Sequence, residues 1–148
     1  MHYKIRKASS SDAFQLSDMM VEHALFEKHS LIITDQKQKL AQLENLPVHI
    51  FVVEQELTGT LLGYISLIKQ FSTWDMAEYL YLDCLYLNES CRGQGIGKAL
   101  MSFALSQAKK MNIQLMQWQT PEDNTSAINF YHTLGATSKA KLRFFWHK

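Results

Sequence analysis

The chain has 148 residues, enough for one domain with a sizeable core, and 47% of them are apolar against 20% charged, the balance of a globular protein. A formal net charge of +1 argues against a broad nucleic-acid face, which needs a clearly basic surface, and leaves room for a local basic pocket. The two cysteines, Cys84 and Cys91, are too few for a secreted disulfide framework, and scattered histidines such as His23, His29 and His132 give no zinc spacing, so no metal is expected.

In chain order, Met1 to Arg6 lacks the apolar stretch of a signal peptide, and no later apolar run is long enough to cross a bilayer; the expectation is a cytoplasmic protein with no membrane partner. Tyr3 to Ala8 alternates and predicts a first strand. Ser9-Ser10-Ser11-Asp12 offers N-cap residues, after which Ala13, Leu16, Met20 and Ala24 recur at helical spacing. A second helix is predicted from Asp35 to about Leu46, with Leu40 and Leu43 on its apolar side. Val48 to Glu54 and Thr60 to Ile68 read as strands joined by the turn Glu56-Leu57-Thr58-Gly59, and Tyr79 to Leu87 as a third such run. A glycine-rich turn then opens a helix carrying Ile96, Ala99, Leu100, Phe103, Ala104 and Ala108. Ile113 to Gln119 predicts another strand, Asn124 to Ser126 cap a helix carrying Ala127, Ile128, Tyr131 and Leu134, and Leu142 to Trp146 predicts a last strand. Neither proline, Pro47 nor Pro121, divides the chain. The order predicts an α/β (α+β) fold: one domain over 1–148, with a mixed, mostly antiparallel central sheet flanked by helices.

The turn Cys91-Arg92-Gly93-Gln94-Gly95-Ile96-Gly97-Lys98 carries the most information. Glycines admit a ligand close to the backbone, and a helix start presents unpaired N–H groups and a positive dipole end, a combination suited to phosphate. A Walker A loop would need glycine where Arg92 stands and Ser or Thr where Ala99 stands. The dinucleotide fingerprint would need its third glycine at Lys98 or Leu100. Both fail. Arg92-x-x-Gly95-x-Gly97 instead resembles the pyrophosphate loop of the GNAT family of N-acetyltransferases. Asn124-Thr125-Ser126-Ala127-Ile128-Asn129-Phe130-Tyr131 followed by Gly135-Ala136 resembles that family's second signature. The resemblance extends from Tyr3 to Trp146.

Several segments are most similar to the diamine (spermidine/spermine) acetyltransferases: Leu25-Phe26-Glu27-Lys28 after the first helix, Phe71-Ser72-Thr73-Trp74 before the third strand, Tyr81 to Leu87, and Ser126 to Tyr131. Two departures weaken the case for a polycation acceptor: Asp83 is followed by Cys84 where those enzymes pair two acids, and the second-helix segment is shorter and less acidic.

The resemblance implies acetyl transfer from acetyl-CoA to a primary amine of a small molecule, diamine-like or amino-acid-like, by direct attack in a ternary complex. Arg92, Gly93, Gln94, Gly95, Ile96, Gly97 and Lys98 would hold the pyrophosphate through main-chain N–H groups. Leu85, Tyr86 and Leu87 would align the pantetheine like an added strand and polarise the acetyl carbonyl. Asn124, which also caps its helix, and Ala127 would complete the coenzyme site. Tyr131 would protonate the departing thiolate, or else only fill the core beside Ile128. Asp83 would recognise the amine and serve as base through water, or else be a solvent-facing strand residue. Phe26 and Glu27 would contact the acceptor, within walls formed by Phe26 to Leu31 and Gln70 to Met76. Cys84 reads as an inert core thiol because no histidine is beside it in sequence. Phe144, Phe145 and Trp146 fit a packed last strand, an acceptor wall or a dimer contact. Members of this type are often dimers, so a homodimer enters as an expectation from the resemblance. A protein lysine or N-terminal acceptor, and a non-catalytic acyl-CoA sensor, stay open as alternatives.

Overall fold

A computed structural model describes residues 1–28 and 36–148; His29, Leu31 and Asp35, which enter the expectations above, lie outside the described residues. Strands β1 (Tyr3–Lys7), β2 (His49–Gln55), β3 (Leu61–Ser72), β4 (Ala77–Leu87) and β5 (Met116–Trp118) form one sheet in sequence order. Neighbours are antiparallel from β1 to β4, and β5 joins β4 in parallel. The helices are α1 (Ala13–Phe26), α2 (Gln36–Leu40), α3 (Ile96–Lys110) and α4 (Thr125–Thr133). The mixed, mostly antiparallel sheet with flanking helices is the expected one.

The near-continuous apolar runs of β2 and β3 follow from burial on both faces. Phe51, Val53, Ile65 and Leu67 pack with Ile96, Leu100, Ala104 and Ala108 of α3. On the opposite face, Ile50, Val52 and Tyr64 pack with Ala13, Leu16 and Met19 of α1 and with Leu40 and Leu43. Leu100 is fully buried, so truncating it to alanine would cost about 2–5 kcal/mol. Gly63 of β3 packs tightly against β4: a Cβ there would lie 2.5 Å from the Tyr86 carbonyl oxygen.

The start of α1 is pinned to the sheet. The Arg6 guanidinium forks onto the buried Asp12 carboxylate through two bonds of 2.9 Å, and its Nε donates to Glu54 on β2. Asp12 also accepts from the Ser9 amide at 2.8 Å, meeting one of the unpaired donors at the helix entry. Because the Arg6 guanidinium bonds to it, Asp12 titrates below the usual carboxylate range.

Three expectations are corrected. The second helix ends at Leu40, and Leu43–Asn45 forms only a 3-10 turn; the apolar side that Leu40 and Leu43 suggested is met by this tighter path. β3 runs on through Phe71 and Ser72, paired with Glu78 and Ala77, so this aromatic segment is strand and tight turn. The predicted strand at Leu142 to Trp146 is absent: these residues pair with none of the described strands, and Leu142, Phe144, Phe145 and Trp146 are 70% to 100% exposed. Apolar composition gives a segment strand propensity, but a strand exists only where a neighbour supplies the ladder.

Candidate active site

The site begins where β4 and β5 part. Their pairing spans only Leu80↔Met116 to Leu82↔Trp118, so the Asp83 to Leu87 edge that would continue toward β5 has no strand against it among the described residues. At the same point β4 is bulged. Ser66 pairs with Cys84 and Leu67 with Leu82, which leaves Asp83 as the extra residue. The Cys84 amide donates to the Ser66 hydroxyl at 3.0 Å instead. The bulge shifts the phase of the strand: Leu80, Leu82, Leu85 and Leu87 share one core, while Cys84 and Tyr86 join the other. A bulge re-aims a side chain at the cost of a local ladder bond, and here it turns the Asp83 carboxylate outward.

The glycine-rich turn follows β4 directly. Gly93 and Gly95 have φ of +75° and +83°, in the left-handed region that a β-carbon disfavours. The amides from Gly93 to Lys98 find no acceptor among the described residues, and they sit at the positive end of α3. Arg92 turns its side chain back to brace the turn: Nε donates to the Leu87 carbonyl at 3.0 Å, and the guanidinium lies 4.7 Å from the centre of the Phe26 ring. Gln94 donates to the Ser90 carbonyl at 2.9 Å, and Ile96 is buried in the core. Neither of the last two side chains lines a cavity; what they offer the expected coenzyme site is main chain alone.

Two cavities meet at the bulge. The first, about 470 Å³, is lined by Leu82 to Leu87, by Arg92, Gly93, Gly95, Gly97 and Lys98, by the capping Asn124, and by Ala127, Phe130 and Tyr131 of α4. The second, about 460 Å³, lies between α1, α2 and the sheet, lined by Met20, Ala24, Leu40, Leu46, Val48, Ile50, Tyr64 and Ile68, with Gln36 and Lys39. His23, Glu27, Asp83 and Cys84 line both. Cations therefore stand at the glycine end of the first cavity and carboxylates at the junction.

At this junction, burial and the Asp83 carboxylate push the Cys84 thiol up to about 11, so it stays a thiol at neutral pH and is a poor nucleophile. Tyr131 stacks edge-on against Trp118 with ring centres 5.3 Å apart; burial, and secondarily Glu27, raise its hydroxyl above the ordinary value. It remains a proton donor at neutral pH. The Asn124 side chain accepts from the Ala127 amide at 3.3 Å, the expected cap of α4. Phe26 and Glu27 line the first cavity as expected, and Glu27 the second as well, whereas no residue from Gln70 to Met76 lines either, because that segment belongs to the far end of the β3–β4 hairpin.

The site is thus framed by a strand that splits from its neighbour at a bulge and leads into unpaired amides at a helix start. The model of the acetyltransferase (GNAT) family matches residues 15–136. The chain belongs to that family. Among its relatives, thialysine N-epsilon-acetyltransferase of Caenorhabditis elegans is 28% identical over 143 residues, covering 95% of this chain and 86% of the relative. The Mus musculus enzyme of the same name is 31% identical over 147 residues, covering 90% and 83%. The crystal structure of a probable acetyltransferase superposes with a TM-score of 0.82 at 20% identity, over 98% of this chain and 97% of the other, which shows the shared fold. The protein is accordingly an acetyltransferase, and its GNAT membership makes acetyl-CoA the expected co-substrate. The residues present fit that coenzyme in one testable respect: the unpaired amides and positive-φ glycines form a cradle for phosphate oxygens.

Sequence reasoning missed two features. One is the bulge, whose signal is a change of parity: large apolar residues fall on Leu80 and Leu82, then on Leu85 and Leu87. The other is His23, read as one of several scattered histidines. Its helical spacing to Glu27, four residues on, was the available signal.

Proposed function

We propose that this single domain, residues 1–148, transfers the acetyl group of acetyl-CoA to a primary amine on a small aliphatic molecule, by direct attack in a ternary complex. The observation that carries the reading is the meeting, at Asp83, of a cavity that takes in the glycine-rich turn and the open β4 edge with a second, largely apolar one. In this reading the amides of Gly93 to Lys98 hold the pyrophosphate. The open edge at Leu85, Tyr86 and Leu87 takes the pantetheine as an added strand, and one of its N–H groups stabilises the developing oxyanion. Asn124 and Ala127 flank the coenzyme.

The ammonium of the acceptor is drawn to Asp83 and Glu27, its aliphatic part lies along the apolar walls of the second cavity, Phe26 meets it from the first, and Tyr131 protonates the departing thiolate. An enclosure of about 460 Å³ suits a small molecule, and the relatives named for thialysine act, by their names, on an amino acid bearing a side-chain amine. The exposed apolar tail from Leu142 to Trp146 supports a homodimer, to be checked by sedimentation. No described helix is long and apolar enough to cross a membrane, which fits the cytoplasmic location we favour.

The test is thiol release from acetyl-CoA with spermidine, putrescine, lysine, thialysine, an aminoglycoside and a peptide with a free N-terminus. Turnover on a small amine is expected. Turnover on the peptide alone would replace the small acceptor with a protein. Tight acetyl-CoA binding without turnover would make the chain a sensor.

A further inference from the structure

An amine enters such a site as an ammonium and cannot attack until a proton has left it. The junction of the two cavities holds a group suited to accept it that is neither of the carboxylates. His23 sits on α1, half-buried, and lines both cavities. Its ring is fixed on three sides. It stacks on Tyr86 with centres 5.3 Å apart and planes 25° apart. Its Nδ1 lies 2.9 Å from the Tyr64 hydroxyl, and its Nε2 lies 3.4 Å from a Glu27 carboxylate oxygen. Tyr64 is itself buried in the core beside Cys84, and Tyr86 is held by its hydroxyl bond to Glu22 at 2.9 Å. A side chain that only fills space does not require an oriented imidazole between a hydroxyl and a carboxylate at the mouth of two cavities.

We propose that His23 is the proton acceptor for the substrate ammonium, with Tyr64 setting its tautomer and Glu27 stabilising the imidazolium. This rests on the amine acetyltransferase reading above and assigns a further residue within it. In the productive tautomer Nδ1–H donates to the Tyr64 oxygen and Nε2 carries the lone pair, and the entering ammonium donates to both Nε2 and the Glu27 carboxylate, bridging two acceptors that would otherwise face each other. The ammonium N–H bond breaks, its proton goes to Nε2, and the electron pair stays on the amine nitrogen. That pair then forms the bond to the acetyl carbonyl carbon, and the carbon–sulfur bond breaks. The imidazolium, paired with the exposed Glu27, releases its proton to solvent. The second amine proton is lost as the amide forms and balances the one delivered to the thiolate through Tyr131.

The charged and titratable groups around His23 act in both directions. Burial depresses its pKa most, Glu27 and then Asp83 raise it, and Arg92 lowers it; Cys84, Tyr64 and Tyr86 face it as neutral groups. The balance is a pKa below the ordinary histidine value, so the ring is a free base at neutral pH.

The experiment is the pH dependence of kcat/KM for wild type and His23→Gln with the best amine of the panel, beside acetyl-CoA affinity by calorimetry and a melting curve. For the wild type, an acidic limb with its inflection below about 6.5 is expected. His23→Gln should lower kcat about 100-fold, remove that limb and leave acetyl-CoA affinity unchanged. Should the variant fold poorly, nitrogen-15 histidine NMR on the wild type decides: the His23 titration should coincide with the kinetic limb. A His23→Gln enzyme within about threefold of wild type and with the same limb, or an NMR titration a full pH unit from the limb, overturns the proposal and leaves the acetyltransferase reading standing. Wild-type protein that turns over no amine overturns both.

Discussion

The two cavities that meet at Asp83 are made of different material. The first takes in exposed main chain, with the open edge of β4, the positive-φ glycines at 93 and 95 and the unpaired amides at the start of α3, beside side chains such as Phe130 and Tyr131. The second is walled by side chains from α1, α2 and the strands β2, β3 and β4, which lie far apart along the chain from Met20 to Cys84. Main chain can bind the same group whatever the neighbouring side chains are, provided the backbone reaches the right conformation. A side-chain pocket changes with each substitution. The difference teaches where such a chain keeps its common chemistry and where it can vary its acceptor.

The contrast can be broken most directly at the one side chain asked to do chemistry from the coenzyme side. Tyr131→Phe should lower kcat by about 10²–10⁴-fold while acetyl-CoA affinity by calorimetry stays within about twofold; unchanged turnover would return Tyr131 to a packing role against Trp118. Next in size, Gly95→Val forces a β-branched residue to φ +83°. The strain of about 1–3 kcal/mol should appear as a loss of roughly 10- to 100-fold in acetyl-CoA affinity, since that conformation is what aims the amides.

The second cavity, where the acceptor is proposed to bind, hangs on α1, so loosening the helix entry tests it at a distance. Asp12→Asn leaves Arg6 without its forked partner and should cost about 2 kcal/mol of stability. The wild-type Asp12 is held below its ordinary pKa by Arg6. Its contribution is therefore full above about pH 4, the unfolded carboxylate value, and fades as pH falls through the lower folded value. The gap in melting temperature between wild type and variant should be widest at neutral pH and close in acid; a constant gap would contradict the ion pair. The smallest change sharpens the comparison by doing almost nothing. Gln94→Ala removes a side chain bonded only to the Ser90 carbonyl, and acetyl-CoA affinity should move by less than about threefold.

The glycine-rich turn and the cap of α4 were legible in advance because their determinants are local. Arg92-x-x-Gly95-x-Gly97 after a strand, and Asn124 three residues before Ala127, state a turn and a cap whose geometry follows from neighbouring residues alone. The side chains of that turn were not legible in the same way: Ile96 is buried in the core, and the Arg92 side chain braces Leu87 and Phe26. Leu142 to Trp146 looked like a strand because apolar content is a property of one segment, whereas pairing is a property of two. Only the tertiary structure could reveal that β5 stops at Trp118, that Asp83 is the extra residue of a bulge, and that His23, Tyr64 and Glu27 form one constellation. The first two depend on the register between strands and the third on packing a helix against a sheet, with 41 positions separating His23 from Tyr64. Local sequence sets backbone conformation within a few residues; which distant side chains then meet is decided by the core that buries them.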